Sequence, residues 1–167
     1  MPFTISQFAD DLKDFLDKNG IKNPIILGFS DGANIATQFA VRYPDKVASL
    51  ILDGGNLDTS GVFEEYQMAI EYDFEQSKKT DDIRQTELLS LMFDSPNIPK
   101  EELHKITAKT LVIAGYDDMI KRSHTKLIAQ NIKNSKLVFL PGDHFIAKNI
   151  ADEFNNAVED FLEEKQK

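Results

Sequence analysis

The sequence predicts an α/β protein: a four-stranded parallel sheet flanked by helices, with a helical insertion after the second strand. Three observations lead there. Short apolar runs bounded by Gly, Pro or Asp alternate with amphipathic stretches of helical period. The runs are continuously apolar rather than alternating, as in strands covered on both faces. And Gly28-Phe29-Ser30-Asp31-Gly32 falls where the first run gives way to a helix.

The elements follow in order. Ile5, Phe8, Leu12, Phe15 and Leu16 recur at helical spacing over residues 4–19, with Thr4 or Ser6 to cap the start and Gly20 to stop it. Pro24-Ile-Ile-Leu, ending at Gly28, reads as a buried strand. Residues 32–43 return to helical period through Ile35, Ala36, Phe39 and Ala40, and Pro44 ends that helix. Val47-Ala-Ser-Leu-Ile-Leu is a second buried strand, closed by Asp53-Gly-Gly. Residues 56–107 then change character. Phe63, Tyr66, Ile70 and Phe74 mark one amphipathic helix, Ile83, Leu88, Leu91 and Met92 another, and a short helical turn follows Pro96 and Pro99 near His104. Alternation resumes with Thr110-Leu-Val-Ile-Ala, a helix through Leu127-Ile-Ala, the strand Lys136-Leu-Val-Phe-Leu, and a last helix carrying Phe154, Val158, Phe161 and Leu162.

The chemistry sits in three places. A Gly-x-Ser-x-Gly turn between strand and helix holds its serine in a tight bend, and the flanking glycines avoid clashes that side chains would cause. It aims Ser30 at a helix N-terminus, where the Asp31 N–H can stabilise an oxyanion. A serine hydroxyl needs a base. Of the three histidines, His144 in Pro141-Gly-Asp-His-Phe follows the last strand, whereas His104 lies in the insertion and His124 begins a helix as an exposed or capping residue. Gly115-Tyr-Asp-Asp, after the third strand, supplies the acid that orients the imidazole: Asp118, with Asp117 a close alternative and Asp53 a third. All three positions lie at strand C-terminal ends, in the order serine, acid, histidine expected for such a sheet.

By these residues the chain resembles the α/β-hydrolases. The matching stretches are Ile25-Ile-Leu-Gly-Phe-Ser-Asp-Gly, Leu111-Val-Ile-Ala-Gly-Tyr-Asp-Asp and Leu140-Pro-Gly-Asp-His-Phe. The Phe-Ser-Asp-Gly turn is similar to hydrolases of the valacyclovir-hydrolase and carboxylesterase type. The resemblance implies a Ser30–Asp118–His144 triad acting on a small ester or amide, with the fourth position of Gly-x-x-Asp as the acid. It implies a core from residues 1–55 and 108–167 and a helical cap at 56–107. Tyr66, Ile70 and Phe74 of that cap, with Phe29 from the turn, either line an apolar pocket or simply pack against their neighbours. Asp31 beside the nucleophile would either attract a substrate ammonium group or solvate the rim. Against the family's usual pattern the fold is truncated: four further strands precede the helix that starts here, and one of their loops gives the second oxyanion donor. Loss of one such donor costs on the order of 100- to 1000-fold in turnover. The first strand would then be an open apolar edge, so two chains are expected to pair through it as a homodimer. The alternative is a residual, non-catalytic hydrolase-fold domain that acts through self-association or protein interaction.

Composition narrows the partners. A net charge of −9 disfavours nucleic-acid phosphates and anionic membrane surfaces. The chain has no cysteine, and its histidines lie twenty residues apart without metal-ligand spacing, so neither metal nor cofactor is expected. No run approaches the ~18 apolar residues of a membrane span, and the N-terminus lacks a signal-peptide pattern. The expectation is a soluble, cytoplasmic protein.

Overall fold

A computed structural model of the chain describes residues 3–94 and 96–164. Helix α1 (Ile5–Lys18) begins where the Thr4 hydroxyl accepts the Gln7 N–H at 3.0 Å, and it buries Ile5, Ala9 and Leu16. Its end is closed by two backbone bonds, Ile21 N–H to Leu16 O and Gly20 N–H to Asp17 O, the Schellman pattern. Strand β1 (Ile25–Phe29) runs directly into α2 (Asp31–Arg42), and β2 (Ser49–Asp53) follows. The insertion holds α3 (Glu64–Ser77), α4 (Ile83–Asp94) and a 3-10 turn at Lys100–Lys105. Then come β3 (Lys109–Gly115), α5 (Arg122–Asn131), β4 (Ser135–Leu140), a four-residue α6 (Ile146–Asn149) and α7 (Ala151–Glu163).

The four strands are parallel and stand in the order β1-β2-β3-β4. Each crossover therefore steps in the same direction, and right-handed crossovers then put their helices on one face. That face carries the larger core: Ala33, Ala36 and Phe39 of α2 and Ile128 of α5 pack with Leu50, Leu52 and Val112. The alanines of α2 let its backbone approach the sheet closely. The other face is covered by α6 and α7, through Ile146, Phe154 and Phe161 against Ile51, Leu111 and Ile113. Adjacent strand residues point to opposite faces, which is why Leu50 and Ile51 belong to different clusters.

One expectation needs correction. β1 is not buried on both faces. Ile25, Leu27 and Phe29 are 55%, 50% and 37% exposed, because α7 covers β2 and β3 but does not reach this edge strand. An apolar run reads the same whether one face or both are covered.

The rows of the sheet position the site. Phe29, Asp53, Ile113 and Val138 lie in register across it, while β3 and β4 continue to the Gly115–Leu140 pair. Backbone bonds tie the strand ends together beyond the sheet: Ser30 N–H to Asp53 O, Gly54 N–H to Ile113 O, Tyr116 N–H to Leu140 O and Asp117 N–H to Gly142 O. Four loops are thus held side by side at the carboxyl ends of the strands.

Candidate active site

Ser30 occupies the bend between β1 and α2 with φ 54° and ψ −121°, a conformation that ordinary residues rarely adopt. Of the two glycines around it, Gly28 is sterically required: a Cβ there would strike the Gly32 carbonyl. Gly32 is not, since a Cβ on it would meet nothing within 4 Å. The expectation that both glycines relieve clashes is corrected to one. The Ser30 carbonyl opens α2 by accepting from Ala33 and Asn34 N–H. Asp31 is the first helical residue, and the N–H groups of a helix's first turn have no carbonyl one turn back within that helix.

The structure brings Ser30, His144 and Asp118 together across 114 residues of sequence. His144 Nε2 is 3.0 Å from Ser30 Oγ, and His144 Nδ1 is 2.8 Å from Asp118 Oδ1. Asp118 is 4% exposed and His144 7%. The same Asp118 oxygen accepts the Ile120 N–H at 2.8 Å, which fixes the carboxylate plane. Asp117, by contrast, is exposed, and its backbone rather than its side chain is held. Gly54 makes room for the imidazole: its φ is +62°, and a Cβ there would sit 2.8 Å from His144 Cε1.

Burial pushes the Asp31 carboxyl above its ordinary value, against a hydrogen bond from Asn34 that lowers it. Asp53 is the more perturbed: burial first, then repulsion from Asp118, raise it to about 7, with His144 pulling the other way.

The remaining expected residues go to different places. Ile70 lines a narrow cavity of about 20 Å³ that opens on Ser30, Asp31 and His144, together with Val62, Met92 and Met119. A second cavity of about 110 Å³ shares Val62, Ile70 and Met92 and reaches Gln67 and Thr59. Phe29 packs its ring on His144 at 4.9 Å between centroids and on Phe145 at 5.9 Å. Tyr66 lies in a neighbouring groove with Tyr116 and Arg122. Phe74 lines neither cavity; the Lys78 ammonium stands 4.1 Å from its ring centre. A larger recess of about 480 Å³ lies by Gly20, Ile21 and Lys46, at the amino ends of the strands and remote from all of this chemistry.

Sequence reasoning missed an amide pair. Asn34 is 1% exposed; its Nδ2 donates to Asn56 Oδ1 at 3.0 Å, and its Oδ1 accepts the Asn56 N–H at 2.8 Å. A polar residue among the buried alanines of α2 was the available signal. His124 also departs from expectation. It does begin α5, but it is neither exposed nor a cap: its Nε2 accepts the Leu57 N–H at 2.9 Å and its ring packs against Gly61. Burial pulls its titration below the ordinary histidine value. His104 lies on the exposed 3-10 turn, away from the site. Among the described residues no cluster of His, Asp and Glu is placed to hold a metal, and no helix is long and apolar enough to cross a membrane.

Comparison with known proteins agrees with this architecture. The serine hydrolase BPHL of Mus musculus is 29% identical over 178 residues, covering 93% of this chain and 60% of the relative. The 2-hydroxy-6-oxononadienedioate/2-hydroxy-6-oxononatrienedioate hydrolase of Comamonas testosteroni is 29% identical over 193 residues, covering 92% and 68%. The chain thus spans about 60% of the length of the first curated relatives it matches. Among solved structures, MGS-M2, an alpha/beta hydrolase enzyme from a Medee basin deep-sea metagenome library, superposes with a TM-score of 0.82 at 19% identity, covering 100% of this chain and 74% of that one. The enol-lactonase from Burkholderia xenovorans LB400 gives 0.76 at 19% identity, covering 98% and 74%. The family description "alpha/beta hydrolase fold" matches residues 2–95, more than half of the 167. With the parallel sheet and the strand-to-helix turn at Ser30, this makes the chain a member of the α/β-hydrolase family.

Proposed function

We propose that the chain is a serine hydrolase acting on a small ester or amide, with Ser30 as nucleophile, His144 as base and Asp118 as the acid that orients it. One observation carries the reading: the unbroken pair of hydrogen bonds from Ser30 Oγ to His144 and from His144 to Asp118, 3.0 and 2.8 Å long. Asp118 accepts a hydrogen bond from the Nδ1–H, which keeps that proton on the ring and leaves Nε2 as an acceptor for the serine hydroxyl. His144 takes that proton as Oγ attacks the substrate carbonyl, then gives it to the leaving alkoxide or amine. Water repeats the sequence on the acyl-enzyme. The Asp31 N–H is the proposed donor to the oxyanion.

Residues 56–107 are proposed as a cap over a core made of 1–55 and 108–167. Support comes from Val62, Ile70 and Met92, which wall the cavity at Ser30 from the insertion side. The cavity at Ser30 adjoins the 110 Å³ cavity that shares Val62, Ile70 and Met92, and the two together suit a short acyl or leaving group. Relatives described as hydrolases, one of them a serine hydrolase, support the reaction class.

Turnover of p-nitrophenyl acetate and butyrate, beside Ser30→Ala, tests the proposal. Hydrolysis that falls to background in the variant is the expected result; equal rates in both would sink it. A second reading, a non-catalytic domain acting through self-association, draws on the exposed apolar row Ile25, Leu27 and Phe29. The two part on covalent chemistry, since only an assembled site labels Ser30 with a fluorophosphonate.

A further inference from the structure

The triad proposed above leaves one buried acid without a task. Asp53 ends β2, is 0% exposed, and has no hydrogen-bond donor on either carboxylate oxygen. Asp118 Oδ2 is buried and lacks a donor as well. Buried carboxylate oxygens almost always have partners, so three orphans close to one imidazole call for an explanation.

The backbone allows Asp53 no other position. Its carbonyl holds the Ser30 N–H at 2.8 Å, and the next residue binds Ile113 through its N–H. Gly54 lies against both His144 and Asp118: a Cβ there would be 2.8 Å from the first and 3.4 Å from Asp118 Oδ2. By the alternation of β2, the Asp53 side chain shares a sheet face with Ile51, in the row between Phe29 and Ile113. Phe29 in turn packs on the His144 ring. What faces Asp53 from β1 and β3 is therefore apolar. The charged groups that act on it are Asp118, which repels, and His144, which attracts. Two ionised carboxylates in such surroundings repel strongly, and the one without donors keeps its proton.

We infer that Asp53 is a positioning residue of this site: as the neutral acid it leaves Asp118 as the sole carboxylate partner of His144, and on ionising it adds a second negative charge beside the imidazole. The proton leaves to solvent, and no bond to substrate is involved. While Asp53 is neutral, Asp118 alone orients His144. The ionised form stabilises the imidazolium that develops as Ser30 attacks, so the rate rises as Asp53 loses its proton. Asp53 acts through His144 and does not touch substrate.

Two measurements test the inference, and one of them needs no turnover. With 13C-labelled aspartate, one carboxyl resonance should titrate near neutrality and vanish in Asp53→Asn, or in Asp53→Ser should the asparagine variant not fold. In parallel, kcat/KM for p-nitrophenyl acetate is followed from pH 5 to 9. Both proteins share the rise that comes from freeing the His144 base; the wild type should add a further ionisation that lifts the rate by about three- to tenfold, and Asp53→Asn should lack that second rise while keeping KM. An Asp53 resonance in the ordinary carboxylate range, or superimposable pH profiles, overturns the inference. A protein in which Asp53 titrates near neutrality but Ser30→Ala changes no rate leaves Asp53 a neutral buried acid, and overturns instead the hydrolase reading on which its positioning role rests.

Discussion

At the scale of single residues, the site separates neighbours that look equivalent in sequence. Asp117 and Asp118 are adjacent, yet only Asp118 is buried against His144. Asp118→Asn should lower kcat by about 10,000-fold, as loss of an orienting acid does elsewhere, whereas Asp117→Asn should stay within about threefold. Gly54→Ala should be as damaging as its size change is small. It meets a positive φ and the His144 ring together, so kcat should fall by more than about tenfold with KM little changed. Asp53→Asn also has a stability signature. The folded group is pushed up to about 7 from the ordinary aspartate value of 3.8, so between those values the folded chain holds a proton that the unfolded chain releases. Wild-type stability from this group therefore falls as pH rises through that window. The lead of Asp53→Asn in urea midpoint should be small at pH 4, grow through pH 5 and 6, and level off above about pH 7. Titration at about 7 rather than 3.8 puts the total growth of that lead at about 4 kcal/mol. A lead that shrinks with rising pH would contradict the assignment.

At the scale of elements, the loop after β2 shows how the site is braced. His124 from α5 takes the Leu57 N–H, and Asn34 from α2 takes the Asn56 N–H. The Val62–Ile120 bridge, with Phe63 N–H bonded to Met119 O, joins the insertion to the loop that carries Asp118. His124→Ala should cost about 1–2 kcal/mol by stranding the Leu57 N–H, measured by urea unfolding at pH 8. Because burial lowers the folded titration of His124, the unfolded chain binds the extra proton, and its contribution is lost as pH falls below the usual histidine range. His124→Gln should flatten that part of the stability profile. None of these braces was legible in the sequence, because the partners lie 22 to 67 residues apart and the pattern that reveals helices and strands is local. The elements themselves were legible. Each strand is an apolar run with a clear stop, and the residues of the proposed triad follow those stops at Ser30, Asp118 and His144. The apolar run of β1 did not by itself separate an exposed face from a buried one; the open apolar edge was legible only through the family resemblance.

At the scale of the whole molecule, Ile25 and Leu27 lie on an apolar face at the sheet's β1 edge. The proposed homodimer places that edge against its copy. Light scattering at micromolar concentration should then give twice the chain mass, and Leu27→Glu should give the monomer; a wild type that is already monomeric would remove the proposal. The opposite edge is β4, which with α6 and α7 forms the last part of the chain. His144 belongs to that block and Ser30 to the β1–α2 unit, so the proposed nucleophile is paired with its proposed base only while the block is docked. During synthesis, the segment bearing Ser30 emerges and can fold more than a hundred residues before His144 exists. On the proposed mechanism the Ser30 hydroxyl has no base throughout that interval. In the finished protein, any opening that lifts the terminal block disarms the serine while the first three strands remain folded. The rate at which Ser30 reacts with a covalent probe therefore reads out the docking of β4, α6 and α7.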